Sequence, residues 1–224
     1  MNPADIAKQQ EQIQQAYQSR SRDDFLLFAQ GLIIPSASGP QMLQSCIAPF
    51  QLQCFKDLEP SLKAVRDGLV IPPKRRYWIE RTKKASKDGD LGIALLWLTA
   101  FATKPRYFQA GAADRDQAGI VKRRIQDYLH YNPWLNDYVE ITANRVKGKF
   151  AEVEVIAANI AGSHGETPHL LLINELSHVT KWEFMQNLLD NATGVPWGGV
   201  IVATNAVMLG SKAHGHDLHL MLAV

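Results

Sequence analysis

The segment RYWIERTKKASKDGDLGIALLWLTAFA, residues 76–102, decides how the chain is read. Its opening, Arg76-Tyr77-Trp78-Ile79-Glu80, is short and β-favouring. Its close, Leu91–Ala102, is an apolar run of helical length. Between them lies Arg81-Thr82-Lys83-Lys84-Ala85-Ser86-Lys87-Asp88, polar and basic. A strand, a tight turn, a lysine and a helix whose amino end faces the turn together cradle phosphate. The usual ending, Gly-Lys-Ser/Thr, falls here on Ser86-Lys87-Asp88. Glycine is favoured in such a loop because backbone amides must approach phosphate and a β-carbon obstructs positive φ. Asp88 adds negative charge near the phosphates but also offers an oxygen to Mg2+, and Ser86 supplies a hydroxyl. Taken alone, a basic loop between a strand and a helix is an ordinary solvated loop. Its neighbours must argue for it.

Working outward, strand and helix patterns alternate. Arg106–Gly111 is strand-like and Asp114–Tyr131 is an amphipathic helix. Val139–Ile141, Ala151–Ala158 and His169–Ile173 follow as strands, Thr180–Asn191 as a helix and Gly199–Thr204 as a last apolar strand. Upstream, residues 4–31 predict two helices broken near Ser19–Ser21, and Ile34–Pro40 a loop. Pro49–Gly68 predicts a helix with Phe50, Phe55, Leu58, Leu62 and Val65 on one face. Continuous apolar strands alternating with helices specify an α/β fold, a mainly parallel sheet covered on both faces. Ligands of such sheets bind beyond the carboxyl ends of the strands. The expected organisation is a helical segment and loop over 1–48, the α/β domain over 49–206 and an atypical tail over 207–224.

Composition narrows the class. At 224 residues, one well-buried domain with appendages is expected. A hydrophobic content of 46% with 21% charged residues is that of a soluble globular protein. No apolar run reaches the ~20 residues needed to cross a bilayer. Met1–Gln15 is polar and Gln-rich, unlike a secretory or transit peptide. Cys46 and Cys54 have neither zinc nor redox spacing and read as ordinary thiols of a reducing cytosol. The net charge of +2 marks no general polyanion binder. Between Lys74 and Asp90, however, seven basic residues face three acidic ones.

Two further strand ends carry polar residues where this fold places its chemistry. His169-Leu170-Leu171-Leu172-Ile173 runs into Asn174-Glu175. In motor NTPases an Asp-Glu pair occupies such a strand end, the first carboxylate supporting Mg2+ and the second deprotonating water. Glu175 suits the second role; Asn174 has an amide where the first carboxylate is usual. The plainer reading is a helix start, with Glu175 favoured by the helix dipole. The third strand ends in Thr204-Asn205, polar groups able to sense a bound phosphate.

In this order the motifs resemble the amino-terminal ATPase region of the tailed-phage terminase large subunit. The resemblance rests on Pro49-Phe50-Gln51, the loop Ile79–Asp88, Ala112–Ala118, Gly162–Pro168 leading into Leu170–His178, and Ile201–Ala206. It implies a P-loop NTPase of the RecA-like ASCE type using ATP and Mg2+. Gln51 would read adenine, and Arg81, Thr82, Lys83, Lys84, Ala85, Ser86, Lys87 and Asp88 would line the phosphates. Lys87 would contact the β- and γ-phosphates and Arg81 would stabilise charge on the transferred group. Glu175 would be the general base, Thr204 and Asn205 the coupling residues, and Ser86, Asp88 and Asn174 the groups near Mg2+. The implied work is packaging of double-stranded DNA into a procapsid, by a homo-oligomeric ring on a portal protein with a small terminase subunit, in the host cytoplasm and away from membranes. Other readings stay open: a catalytically weak nucleotide- or DNA-binding remnant, or a helicase-like NTPase.

Lys122, Arg123 and Arg124 form one basic patch, and Arg145, Lys147 and Lys149 another. Either is a solvated surface or a grip on DNA backbone. After Ala206 the sequence no longer resembles the family, and no RNase-H-like nuclease region is expected in this chain. Its His214, His216, Asp217 and His219 invite a metal reading, against the plainer one of an unselected tail.

Overall fold

The computed structural model describes residues 2–69, 73–112, 115–157, 166–175 and 182–205. Two helices open it, α1 (Pro3–Ser21) and α2 (Phe25–Gly31), with the break just past Ser19–Ser21, where Asp24 caps α2 through Leu27 N at 2.8 Å. Ile34–Pro40, expected as a loop, is the tip of a small hairpin, β1 (Ile33–Ile34) with β2 (Gln41–Met42). Helix α3 (Pro49–Asp67) starts at a proline and stops at Gly68, whose φ of 77° is the left-handed closure only glycine adopts cheaply.

The sheet uses β3 (Arg76–Arg81), β4 (Arg106–Ala112), β5 (Val139–Ile141), β6 (Arg145–Gly148), β7 (Ala151–Ala157), β8 (Leu170–Asn174) and β9 (Gly199–Asn205). Their order across it is β3-β9-β8-β4-β7-β6-β5. The first five run parallel, and β6 is antiparallel to both β7 and β5. Helices α4 (Lys87–Phe101), α5 (Arg115–Tyr131) and α6 (Trp182–Thr193) complete the fold.

Strand alternation explains the layers. Leu170, Leu172, Ile201 and Ala203 point to a core shared with α3, α4 and α5. Leu171, Ile173, Val200 and Val202 point to the other side, against Met185, Leu188 and Leu189 of α6. Helix α4 is buried all round from Asp90 to Phe101, as its uniformly apolar sequence requires. Phe25 and Phe28 of α2 join the same core, edge-on to Phe55, Trp97 and Phe101. Phe55, Leu58, Leu62 and Val65 share the buried face of α3, but Phe50 does not: it is 51% exposed. Strand β6 was not foreseen, because Arg145-Val146-Lys147-Gly148 has a single buried apolar residue and reads as a basic patch.

Register matters most for the site. Arg81 is level with Asn205, Glu80 with Thr204, Asn174 with Ala203, and Ala112 with Asn174. The carboxyl ends of β3, β9, β8 and β4 therefore finish together. The candidate site sits on that rim.

Candidate nucleotide-binding site

Directly after β3 the chain turns through 82–86 into α4, and two residues there take left-handed backbone: Lys84 at φ 67° and Ser86 at φ 57°. Ser86 thus adopts the positive φ for which the loop favours glycine, at a cost of roughly 1 kcal/mol. The turn closes with Ala85 N on Thr82 O at 3.2 Å and Asp90 N on Ser86 O at 3.0 Å. It aims the amino end of α4, with its unpaired amides and positive dipole end, over the strand ends.

Lys87 opens that helix and is only 5% exposed. Its ammonium donates to Asn174 Oδ1 at 2.7 Å, Asp88 Oδ1 at 2.8 Å and Glu175 Oε1 at 3.0 Å. Asn174 Nδ2 closes the group on Asp88 Oδ1 at 2.8 Å. Asn205 Nδ2 donates to the other oxygen of Glu175, Oε2, at 2.6 Å. Glu175 itself sits at φ 57°, held by its amide on Ala203 O at 2.8 Å. A non-glycine residue in that conformation is strained, and such strain gathers at functional sites. Lys87, Asp88, Asn174, Glu175 and Asn205 are therefore one hydrogen-bonded group drawn from α4, β8 and β9.

A second polar group lies behind the loop. Arg81 Nη1 pairs with Asp90 Oδ2 and also donates to Ala85 O at 3.1 Å. Gln51 Nε2 donates to Asp90 Oδ1 at 2.9 Å, while Gln51 Oε1 accepts from Ala48 N at 3.0 Å. Arg81, Asp90 and Gln51 are at most 9% exposed. Burial pushes the Asp90 carboxyl above the ordinary carboxylate range, against the pull of Arg81. The guanidinium lies 5.0 Å over the ring of Phe50, which explains that side chain's departure from the core face. Its Nη2 is buried with no hydrogen-bond partner among the described residues.

The first group and the Gln51 and Asp90 side of the second border a cleft of about 620 Å³, while Arg81 faces a neighbouring recess with Phe50 and Cys54. Gln51, the loop from Thr82 to Asp90, Glu175 and Asn205 line it. Its apolar wall comes from Ile34, Pro35 and Leu43, which sequence reading did not place in a site, and Tyr128 and Arg124 of α5 face it too. Thr204 is buried at 2% exposure, and Asn205 bonds Glu175 directly. Ser86 makes no part of the Lys87 group, and Lys83 and Lys84 stand exposed on the loop. Asp90 was missed because an acid in the first turn of a helix reads as a dipole partner.

No family model matches the sequence, and no curated protein matches it. Among solved structures, the crystal structure of the HK97 bacteriophage large terminase superimposes with a TM-score of 0.65 at 20% identity, covering 82% of this chain and 37% of that one. This chain has the fold of the part of that terminase it matches. A mutant of the Thermus phage P74-26 large terminase ATPase domain follows with a TM-score of 0.51 at 12% identity, covering 80% of this chain and 73% of that one. The expected α/β fold, a RecA-like mainly parallel sheet with helices on both faces, is the observed one. The chain spans little more than a third of the HK97 terminase.

Among the basic patches, Arg145 is spent on Glu152 at 2.7 Å and Glu154 at 3.3 Å. Arg124 pairs with Asp127 at 3.4 Å beside the cleft, and Lys122 bonds the carbonyl of Ala143. Lys147 and Lys149 remain exposed. His214, His216, Asp217 and His219 lie outside the described residues. Among the described residues no three His, Cys, Asp or Glu side chains form a metal cluster, and no helix is long and apolar enough to cross a membrane.

Proposed function

We propose that this chain is the ATP-hydrolysing motor region of a phage terminase large subunit. The observation that carries the reading is the contact of Lys87, Glu175 and Asn205 at the mouth of the loop. It supplies a phosphate-binding cation, a general base and a strand-end sensor within one hydrogen-bonded group.

In this reading Lys87 exchanges Asp88 and Glu175 for oxygens of the β- and γ-phosphates, which the amino end of α4 also attracts. Thr82, Lys83, Lys84, Ala85 and Ser86 wrap the phosphates, while Gln51 and the wall of Ile34, Pro35 and Leu43 receive the adenine. Once Lys87 turns to phosphate, Glu175 Oε1 accepts the proton of the attacking water. Asn205 keeps Oε2, so the state of Glu175 is transmitted to β9, with Thr204 packed beneath. Arg81 lines a neighbouring recess in its pair with Asp90, so its role on the transferred phosphoryl group requires that pair to open.

The donor set fits Mg2+, since Asp88, Asn174 and Ser86 offer hard oxygens. When bound, Mg2+ neutralises the phosphate charge and orients the triphosphate. Double-stranded DNA is the substrate moved, gripped through its backbone. A homo-oligomeric ring on a portal, a small terminase subunit and the host cytoplasm complete the proposal.

The test is ATP turnover by the purified protein. Turnover abolished by Glu175→Gln with nucleotide binding retained, and binding lost in Lys87→Ala, is the expected pattern. An absence of ATP binding, or turnover indifferent to Glu175→Gln, overturns it. Binding without turnover selects the remnant reading that Asn174 motivates.

A further inference from the structure

Phosphate loops of the common pattern place a hydroxyl directly after the lysine, facing a strand that ends in a carboxylate, and the two converge on one divalent cation. Here the residue after Lys87 is Asp88, and β8 ends in Asn174. Considered separately, each departure is damaging. A carboxylate at the start of α4 repels phosphate, and an amide at the end of β8 cannot neutralise a cation.

The structure brings the two together. Asn174 Nδ2 donates to Asp88 Oδ1 at 2.8 Å, and both side chains share the ammonium of Lys87, at 2.7 Å and 2.8 Å. The pair carries one negative charge, as the common pair does, but on the helix instead of the strand. Asp88 Oδ1 is occupied by those two donors. Oδ2 has no hydrogen bond among the described residues, and the side chain is 26% exposed on the cleft that Asp88 helps line. Asn174 is 1% exposed and fixed by its two bonds, so it can orient the carboxylate but has little freedom to act alone.

We propose that the charge of the cation site has been exchanged between α4 and β8: Asp88 is the direct anionic ligand of the divalent cation that accompanies a nucleoside triphosphate, and Asn174 is its positioning residue. The inference rests on the nucleotide-binding reading and adds a property to it. A carboxylate this close to the phosphates opposes metal-free triphosphate and favours the metal complex, so binding is tightly coupled to the cation. Two unit charges about 5 Å apart in a partly screened site interact enough to change affinity roughly a hundredfold.

The experiment measures the affinity of a fluorescent, non-hydrolysable ATP analogue for the purified chain, with excess Mg2+ and with EDTA. For the unaltered protein, Mg2+ tightens binding roughly a hundredfold. In Asp88→Ser that ratio falls at least about tenfold, chiefly because metal-free binding improves. In the exchange variant Asp88→Ser/Asn174→Asp, the ratio returns. Asp88→Asn, isosteric with the parent, behaves as Asp88→Ser and separates loss of charge from loss of fold. With Mn2+ in place of Mg2+, protein-bound metal seen by electron paramagnetic resonance decreases in Asp88→Asn and recovers in the exchange variant. A parent affinity indifferent to Mg2+, or an Asp88→Ser ratio equal to the parent's, overturns the exchange while leaving nucleotide binding intact. No binding under either condition overturns the functional reading and the exchange with it.

Discussion

Removing one member of the Arg81–Asp90 pair is expected to damage the protein far more than removing both. Asp90 is 4% exposed and Arg81 9%, and Asp90 Oδ2 is the only carboxylate oxygen on Nη1 among the described residues. Asp90→Ala leaves a buried guanidinium without a counter-charge, with Nη2 already unpartnered, and also strips Gln51 Nε2 of its acceptor. Breaking such a pair from one side costs about 3–5 kcal/mol. Arg81→Met strands a buried carboxylate that retains only Gln51, with a similar cost of about 3 kcal/mol. Burial already pushes the Asp90 carboxyl upward despite Arg81, so the attraction does not fully offset desolvation. The double variant therefore loses the ring contact with Phe50, the bond to Ala85 and the acceptor of Gln51 Nε2, about 2–3 kcal/mol together. Urea denaturation of the parent, both single variants and the double variant closes the cycle, with a coupling energy of at least about 3 kcal/mol expected. Additivity within about 0.5 kcal/mol would mean that the two side chains do not share one buried site, and the reasoning fails.

Three other outcomes follow from the same coordinates. Ser86→Gly relieves the left-handed φ of 57° and, after the entropy glycine adds to the unfolded chain, stabilises by about 0.5–1 kcal/mol in the same urea assay; a loss of stability would show that the Ser86 side chain has a role the geometry does not contain. Glu175→Gln keeps an oxygen for Lys87 and, once the Asn205 amide turns over to accept, a bond to Asn205, but removes the base, so ATP turnover falls about 10²–10⁴-fold while analogue binding stays within a few-fold; a smaller fall assigns the proton to another group. His169 Nδ1 accepts from Tyr107 N at 3.2 Å, and burial with Arg106 nearby holds its pKa below the ordinary 6.5. Because the folded state binds that proton less readily than the unfolded state, the contribution is complete above pH 6.5 and is lost as pH falls through the lowered value. His169→Asn should flatten this part of the stability–pH curve, and an unchanged slope would place the acid sensitivity elsewhere.

What the sequence revealed and what it hid follow from how far each signal extends along the chain. Strands β8 and β9 were legible because burial on both faces demands unbroken apolar runs, and Leu170–Ile173 and Val200–Ala203 supply them. The meeting of Lys87 and Glu175 was legible because ligands of such sheets gather just past the strand ends, where the two side chains are in contact. Strand β6 was not, since a four-residue antiparallel strand held by Arg145 to Glu152 and Glu154 takes its pattern from its partner. The hairpin wall of Ile34 and Pro35 gave no signal either, because residues near position 35 reach the cleft only through packing of the whole chain.

Asp88 and Asn174 show the same limit most sharply. They are 86 positions apart, and each, in its own segment, departs unfavourably from a phosphate-site pattern. A local reading can only add the two losses. Their hydrogen bond changes the arithmetic of charge: what one position lacks, the other holds, at a distance where a single cation would feel both. Whether a deviant motif is degraded or compensated is therefore a property of the contact, and substitutions made at both positions together answer what substitutions at either one cannot.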